Sequence, residues 1–250
     1  MADERVYKAF RPAQLFADGF HLITPLLWVL FVCTLMTFFF VNSWLPIVLT
    51  SAHISAAHAA LATSLFQAAG MIGAFILCRP IDIMGFAPLS VVYILALIVT
   101  PLIGYAAHAE WLLMVVVFCS GFVLFSLQFG INAVSAMIYP TSIRANGSGW
   151  AFGVGRLGAV SGPIVAGVLW GMHLTIEHLF LILAIPLAAT VIASLILVRL
   201  YYLRFRGSGS GGAMPRRASA RLADLDHNAA VLPHRANIEL LIIWTINNRI

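Results

Sequence analysis

Arg156 is the single ionisable side chain in the stretch Asn146–Gly171, NGSGWAFGVGRLGAVSGPIVAGVLWG, which is long enough to cross a bilayer as a helix. A charge near the centre of such a helix costs roughly 2.5–3.5 kcal/mol on insertion scales, so the guanidinium is expected to face a protein interior or a water-filled cavity. Helical periodicity puts Gly149, Gly153, Val160 and Pro163 on its side. Gly155, Gly158 and Gly162 form a neighbouring stripe, where a second helix can approach closely or a ligand can find room. Pro163 is expected to kink the segment. Two roles fit the arginine. It could be structural, bonded to carbonyls of an adjacent helix or reaching toward the interface. It could instead bind an anion, because the guanidinium is a planar fork that matches a carboxylate with two parallel hydrogen bonds. The second reading is favoured.

Other polar side chains recur at helical spacing within apolar runs: Ser64, Gln67 and Met71 in one, and Gly121, Phe125, Gln128, Asn132 and Ser135 in another. Such stripes are expected to point inward. Interhelical hydrogen bonding alone, worth about 0.6 kcal/mol per contact, accounts for any single Ser or Thr. Gln128 and Asn132, two amides one turn apart in mid-span, fit that role or substrate contact equally well. Five of the eight histidines, His53, His58, His108, His173 and His178, fall at the ends of apolar runs and read as interfacial polar residues. His173 and His178 are five apart and so lack the spacing of a zinc-binding HExxH pair. Cys33, Cys78 and Cys119 sit in or beside separate runs with no CxxC spacing and read as packing residues. No catalytic residue, metal or cofactor is expected.

The elements that must hold these residues are membrane helices. Of the 250 residues, 62% are apolar and 9% charged, against about 25% charged in soluble proteins. The net charge of +5 therefore reads as a topology signal and not as a nucleic-acid footprint. Six apolar segments, 24–51, 58–78, 87–107, 111–137, 147–171 and 178–198, can each span roughly 30 Å of hydrocarbon. Arg5, Lys8, Arg11, Arg79, Arg144, Arg199, Arg204 and Arg206 all fall on one side, and the three opposite loops hold no Lys or Arg. By the positive-inside rule both termini are expected in the cytoplasm. Residues 1–23 read as a cytoplasmic leader or linker without a signal peptide, 24–200 as the bundle, and 201–250, which changes to GSGSGG beyond Arg206, as a largely disordered cytoplasmic tail.

The run WLP at Trp44–Pro46, the stretch Tyr139-Pro-Thr-Ser-Ile-Arg144-Ala-Asn-Gly-Ser-Gly-Trp150 and the following GVGRLGAVSGP resemble the second half of a major facilitator superfamily transporter, most of all the bacterial aromatic acid/proton symporters. The resemblance covers about residues 15–205. Its loop pattern Gly-x-x-x-Asp-Arg-x-Gly is partly present beside Arg79: Asp82 and Gly85 match, but Cys78 stands for the first Gly and Ile83 for the Arg. The resemblance implies an all-α integral membrane fold, a six-transmembrane-helix bundle that forms one half of a facilitator, corresponding to helices seven to twelve. It also implies that the first, second, fourth and fifth spans line a cavity, the same four that carry the polar stripes. The third and sixth, poorer in polar residues, are then free to face lipid.

The function expected on this basis is proton-coupled uptake of benzoate-type aromatic acids across the bacterial inner membrane. Arg156 would hold the carboxylate, and Asn42, Trp44, Gln128 and Asn132 would shape the pocket. Arg79, Asp82 and Gly85 would form a gating loop. The expected partners are the aromatic carboxylate, the proton, the lipid bilayer and a complementary N-terminal transporter half. That half is expected because proton symport needs a titratable group in the path, whereas Asp82, Glu110 and Glu177 lie at span ends. The chain accordingly reads as a fragment or one partner of a split transporter. The alternative is a truncated, non-transporting remnant or scaffold. An intramembrane serine protease is disfavoured, since neither Ser148 nor Ser161 stands in a Gly-x-Ser-Gly motif.

Overall fold

The computed structural model describes residues 20–51, 54–106, 109–139 and 143–206, and every regular element among them is helical. The leader before residue 20, His53, His108, Pro140–Ser142 and the tail from Gly207 lie outside the described residues. Eight helices make six spans long and apolar enough to cross a membrane: α1 (Ile23–Ser51), α2 (Ala56–Met84), α3 with α4 (Ala87–Val99 and Leu102–Ala106), α5 (Glu110–Ile138), α6 (Arg144–Gly171), and α7 with α8 (Ile176–Ile182 and Ala184–Arg206). The spans belong to one compact unit, Met1–Tyr201.

Two spans are broken where proline removes a backbone donor. Pro101 follows the end of α3 at Thr100, and Pro186 denies the carbonyl of Ile182, the last residue of α7, its partner four residues on. The small pieces α4 and α7 pack together, so closely that a Cβ on Gly104 would lie 2.8 Å from the Glu177 Cα. Helix α2 runs further than the 58–78 expected and ends only at Gly85, whose φ of +66° suits glycine and whose N–H donates to the Ile81 carbonyl at 2.8 Å. Ser55 caps its other end, accepting from the His58 N–H at 3.3 Å.

Within the bundle α1 packs chiefly on α6 and α2 chiefly on α5, while α5 also touches α1, α3, α4 and α6 and so lies at the centre. Glycines set the closeness of both pairs. A Cβ at Gly158 would fall on the Val32 carbonyl of α1, and one at Gly155 would lie 2.6 Å from the Leu35 side chain. At Gly121 it would lie 2.8 Å from the Phe66 Cα of α2. Two tyrosine–threonine hydrogen bonds tie α1 into the core: Thr34 Oγ1 with Tyr93 Oη at 2.8 Å, and Tyr139 Oη donating to Thr24 Oγ1 at 3.2 Å. Burial raises the Tyr139 phenol above its ordinary range, and the bond to Thr24 lowers it in part.

The third and sixth spans keep their polar residues inside. Ser90, Tyr93 and Thr100 are buried, as are Thr190 and Ser194, while Val91, Ile98, Ile185 and Ile192 stand exposed. Their outward faces are therefore apolar and suited to lipid. The stripe Ser64, Gln67 and Met71 departs from expectation: all three are exposed on the outside of the bundle. Phe66, Gly70, Gly73 and Leu77 are the buried residues that turn toward α5, and helical geometry carries the polar stripe to another face.

Candidate functional site

Helix α6 has two contrasting faces. Gly147, Ala151, Gly155, Gly158, Gly162 and Ala166 are buried, at spacings of three or four. Gly149, Gly153, Arg156 and Val160 are exposed on the other side, and nothing lies within 4 Å of where a Cβ would stand at Gly149 or Gly153. Arg156 thus leaves the bundle core and projects from the surface of this unit, as helical spacing from the buried glycines requires. Its Cζ lies 4.9 Å from the centroid of the Phe152 ring, four residues earlier, a cation–π contact. Among the described residues the guanidinium has no hydrogen-bond or ion-pair partner. An open groove of about 570 Å³ runs along the Arg144 half of the same helix, walled by Asn146, Gly149, Trp150, Gly153 and Leu157.

The amides on α5 are half-buried and lie at similar depth. At about 1.5 Å per residue, Arg156 stands roughly 18 Å from the Arg144 end of its helix, and Gln128 about 15 Å from the Ile138 end of α5, on the same side of the bundle. The Gln128 Oε1 is buried and meets no hydrogen-bond donor among the described residues. Asn132 spends its side-chain N–H on the Gln128 backbone carbonyl at 2.8 Å, and Ser135 Oγ donates to the Asn132 carbonyl at 2.8 Å. Gln128 is therefore the freer amide.

Asn42 and Trp44 are half-buried near the other end of α1. The Trp44 indole N–H donates to the Pro163 carbonyl of α6 at 3.2 Å, and its ring lies 6.0 Å from that of Trp170. Only the faces of the Trp44 ring remain for other contacts. The three residues expected in a gating loop divide: Arg79 and Asp82 are exposed on the last turns of α2, on either side of Pro80, and Gly85 alone forms the turn. The helix continues through Pro80 because the chain meets its positive-φ glycine only at residue 85. Arg144, at the start of α6, donates from Nε to the Tyr139 carbonyl at 3.3 Å and so closes the end of α5.

Residues 27–243 match the model of the Major Facilitator Superfamily. The chain belongs to that superfamily. The match continues past residue 205, where the resemblance read from motifs stops. Among curated relatives, a gallate transporter from Pseudomonas putida is 31% identical over 183 residues, covering 73% of this chain and 41% of the relative. A 4-hydroxybenzoate transporter, PcaK, from Acinetobacter baylyi is 32% identical over 183 residues, covering 72% and 40%. A gentisate transporter from Corynebacterium glutamicum is 28% identical over 176 residues, covering 67% and 38%. The chain spans about two-fifths of the length of these relatives. Membership of this transporter superfamily removes the intramembrane-protease alternative and makes the six spans a facilitator-type multi-pass bundle.

Facilitators contain inverted three-helix repeats within each six-span half. The two tight pairs here, α1 with α6 and α2 with α5, follow that relation: each joins the first span of one triplet to the second span of the other. Three contacts escaped the sequence reading. The i, i+4 spacing of Phe152 and Arg156 could have revealed the first. Trp170 beside Trp44, and Tyr93 on Thr34, join spans distant in sequence and leave no local signal.

Proposed function

We propose that this chain is the substrate-holding half of a proton-coupled facilitator that takes up small aromatic carboxylates by alternating access. The observation that carries the reading is Arg156: a mid-span cation, exposed on this unit and unpaired among the described residues, on the face that also holds the groove. Left in lipid it would cost a few kcal/mol, which a covering protein surface and a bound carboxylate would remove. The names of the relatives supply the substrate class, since gallate, 4-hydroxybenzoate and gentisate are all aromatic acids.

In this reading the guanidinium fork receives the carboxylate with two hydrogen bonds, while the Gln128 amide, with Asn132 and Asn42, orients ring substituents. The faces of Trp44 form part of the wall. Arg79, Asp82 and Gly85 act at the basic end of α2 as a gate. The exposed Ser64–Gln67–Met71 stripe of α2 supports a second six-span unit closing over this one, because polar groups in hydrocarbon need a partner. That unit would also supply the proton-carrying acid, since Asp82, Glu110 and Glu177 all lie at helix ends in the structure. The basic side, bearing Arg79, Arg144 and Arg199, is placed in the cytoplasm of a bacterial cell, with both termini there.

Uptake of labelled 4-hydroxybenzoate by cells producing this chain together with a facilitator first half tests the proposal. Arg156→Lys keeps the charge but loses the fork, so KM should rise on the order of tenfold, about 1.4 kcal/mol of binding, at unchanged expression. Wild-type affinity in well-expressed Arg156→Lys and Arg156→Gln would return the arginine to a structural role. Absence of uptake with every first half tried would favour the remnant or scaffold.

A further inference from the structure

Both helices of the α1·α6 pair carry a proline inside a long helix on the side away from the basic ends: Pro46 in α1 and Pro163 in α6. Proline removes one i→i−4 bond and loosens the helix there, so each helix carries a segment that can swing about its proline. Trp44 stands two residues before Pro46, in the turn that this proline loosens, and reaches across to α6. Its indole N–H bonds the Pro163 carbonyl at 3.2 Å. Its ring edge rests over Gly167, where a Cβ would come within 3.3 Å of Trp44 Cζ2. Its centroid lies 6.0 Å from that of Trp170. One side chain from beside the α1 proline thus meets residues 163, 167 and 170, successive turns of α6 from its own proline onward.

We infer that Trp44 is a positioning residue that ties the turn of α1 leading into Pro46 to the turn of α6 that starts at Pro163, so that the two helices bend at their prolines together, acting through the hydrogen bond from its indole N–H to the Pro163 carbonyl. A carbonyl has two lone pairs, so Pro163 accepts from the indole without giving up its place in α6. Gly167 is the seat that lets the ring edge approach the helix. Arg156 stands two turns before Pro163 on the same helix, so holding α6 at Pro163 also holds the helix that carries the arginine. The inference rests on the transport reading for its effect on turnover, but the tie itself is a property of the structure.

The experiment places nitroxide labels at Thr50→Cys and Met172→Cys, exposed positions at the ends of α1 and α6, with Cys33, Cys78 and Cys119 changed to Ser, and measures their separation by pulsed electron resonance in lipid nanodiscs. Trp44→Phe keeps a ring and drops the donor; Gly167→Leu keeps the donor and displaces the ring. Both should broaden the distance distribution and add a longer-distance population. In cells supplying a first half, Trp44→Phe should slow 4-hydroxybenzoate turnover at saturating substrate at least threefold per folded molecule. Unchanged distributions in both variants overturn the tie. So does broadening in Trp44→Ala but not in Trp44→Phe, which would make ring bulk the holding feature. If the unmodified protein transports nothing, the transport reading fails and the distances still decide the tie.

Discussion

The α1·α6 and α2·α5 pairs solve one packing problem in two ways. In α1·α6 the small residues all come from one partner, Gly155, Gly158 and Gly162 of α6, and they seat against α1 at Val32, Leu35 and Met36. In α2·α5 the seats are shared: Gly70 and Gly73 of α2 receive Phe125 and the Phe122 carbonyl, and Gly121 of α5 receives the Phe66 backbone. The first pair has a proline inside each helix and a tryptophan contact toward either end, Trp28 with Trp150 and Trp44 with Trp170. The second has no proline in α5, a proline only near the end of α2, and phenylalanine at its centre, with Phe66 and Phe125 centroids 5.5 Å apart. Close approach in lipid gains van der Waals contact rather than hydrophobic energy, so glycine is needed in both. The difference lies in the backbone ladder: each helix of the first pair loses a hydrogen bond at an internal proline, whereas α5 keeps its ladder unbroken and α2 loses a bond only near its end.

The largest effect expected from breaking this comparison is at the backbone seats. Gly158→Ala and Gly121→Ala each put a methyl on the opposing helix backbone, which cannot move aside as a side chain can, so each should destabilise by about 1–3 kcal/mol or more. Fluorescence-detected size-exclusion melting should show an early transition for both, while Gly153→Ala, facing open space, melts like the parent. If one of the first two melts normally, the two seams are not equivalent. A smaller effect is expected at Tyr93→Phe, which removes the bond that ties α1 to α3; about 0.6–1 kcal/mol should be lost, read as a modest shift of the same melt. A shift as large as that of Gly158→Ala would mean that α1 is held by the tyrosine rather than by the glycine seam. The smallest effect concerns the end of α2·α5, where His58 Nδ1 and Glu110 Oε1 pair with side chains 52% and 53% exposed. His58→Gln should change stability by less than about 0.5 kcal/mol, because water and salt screen so exposed a pair. A larger loss would show that this end is closed by charge as well as by packing.

Arg156 shows how far local reading reaches. Its depth, its isolation from other charges and the side on which Gly149 and Gly153 lie all follow from a 3.6-residue period, and the structure keeps them together on one exposed face. That this face points away from α1 could be read only in part, because two glycine stripes ran side by side and either could have been the seam. The Ser64–Gln67–Met71 stripe shows the limit: polarity in a membrane helix says that a surface needs a protein partner, but not whether the partner lies in the same six spans. Arg79 and Asp82 lie past the apolar segment that ends at residue 78, and hydropathy alone does not show that α2 continues through Pro80 and stops at glycine.

The sequence by itself determined the number of spans, the basic asymmetry of their ends, the all-α class and the family, because these depend on hydropathy and charge summed over some 20 residues and on short motifs. Which helix touches which was decided only in three dimensions. Trp44 meeting Pro163, Tyr93 meeting Thr34 and Gly121 meeting Phe66 join residues 119, 59 and 55 positions apart. In lipid, where apolar faces are nearly interchangeable, only the fit of backbone against glycine and of donors to their acceptors selects among the possible pairings.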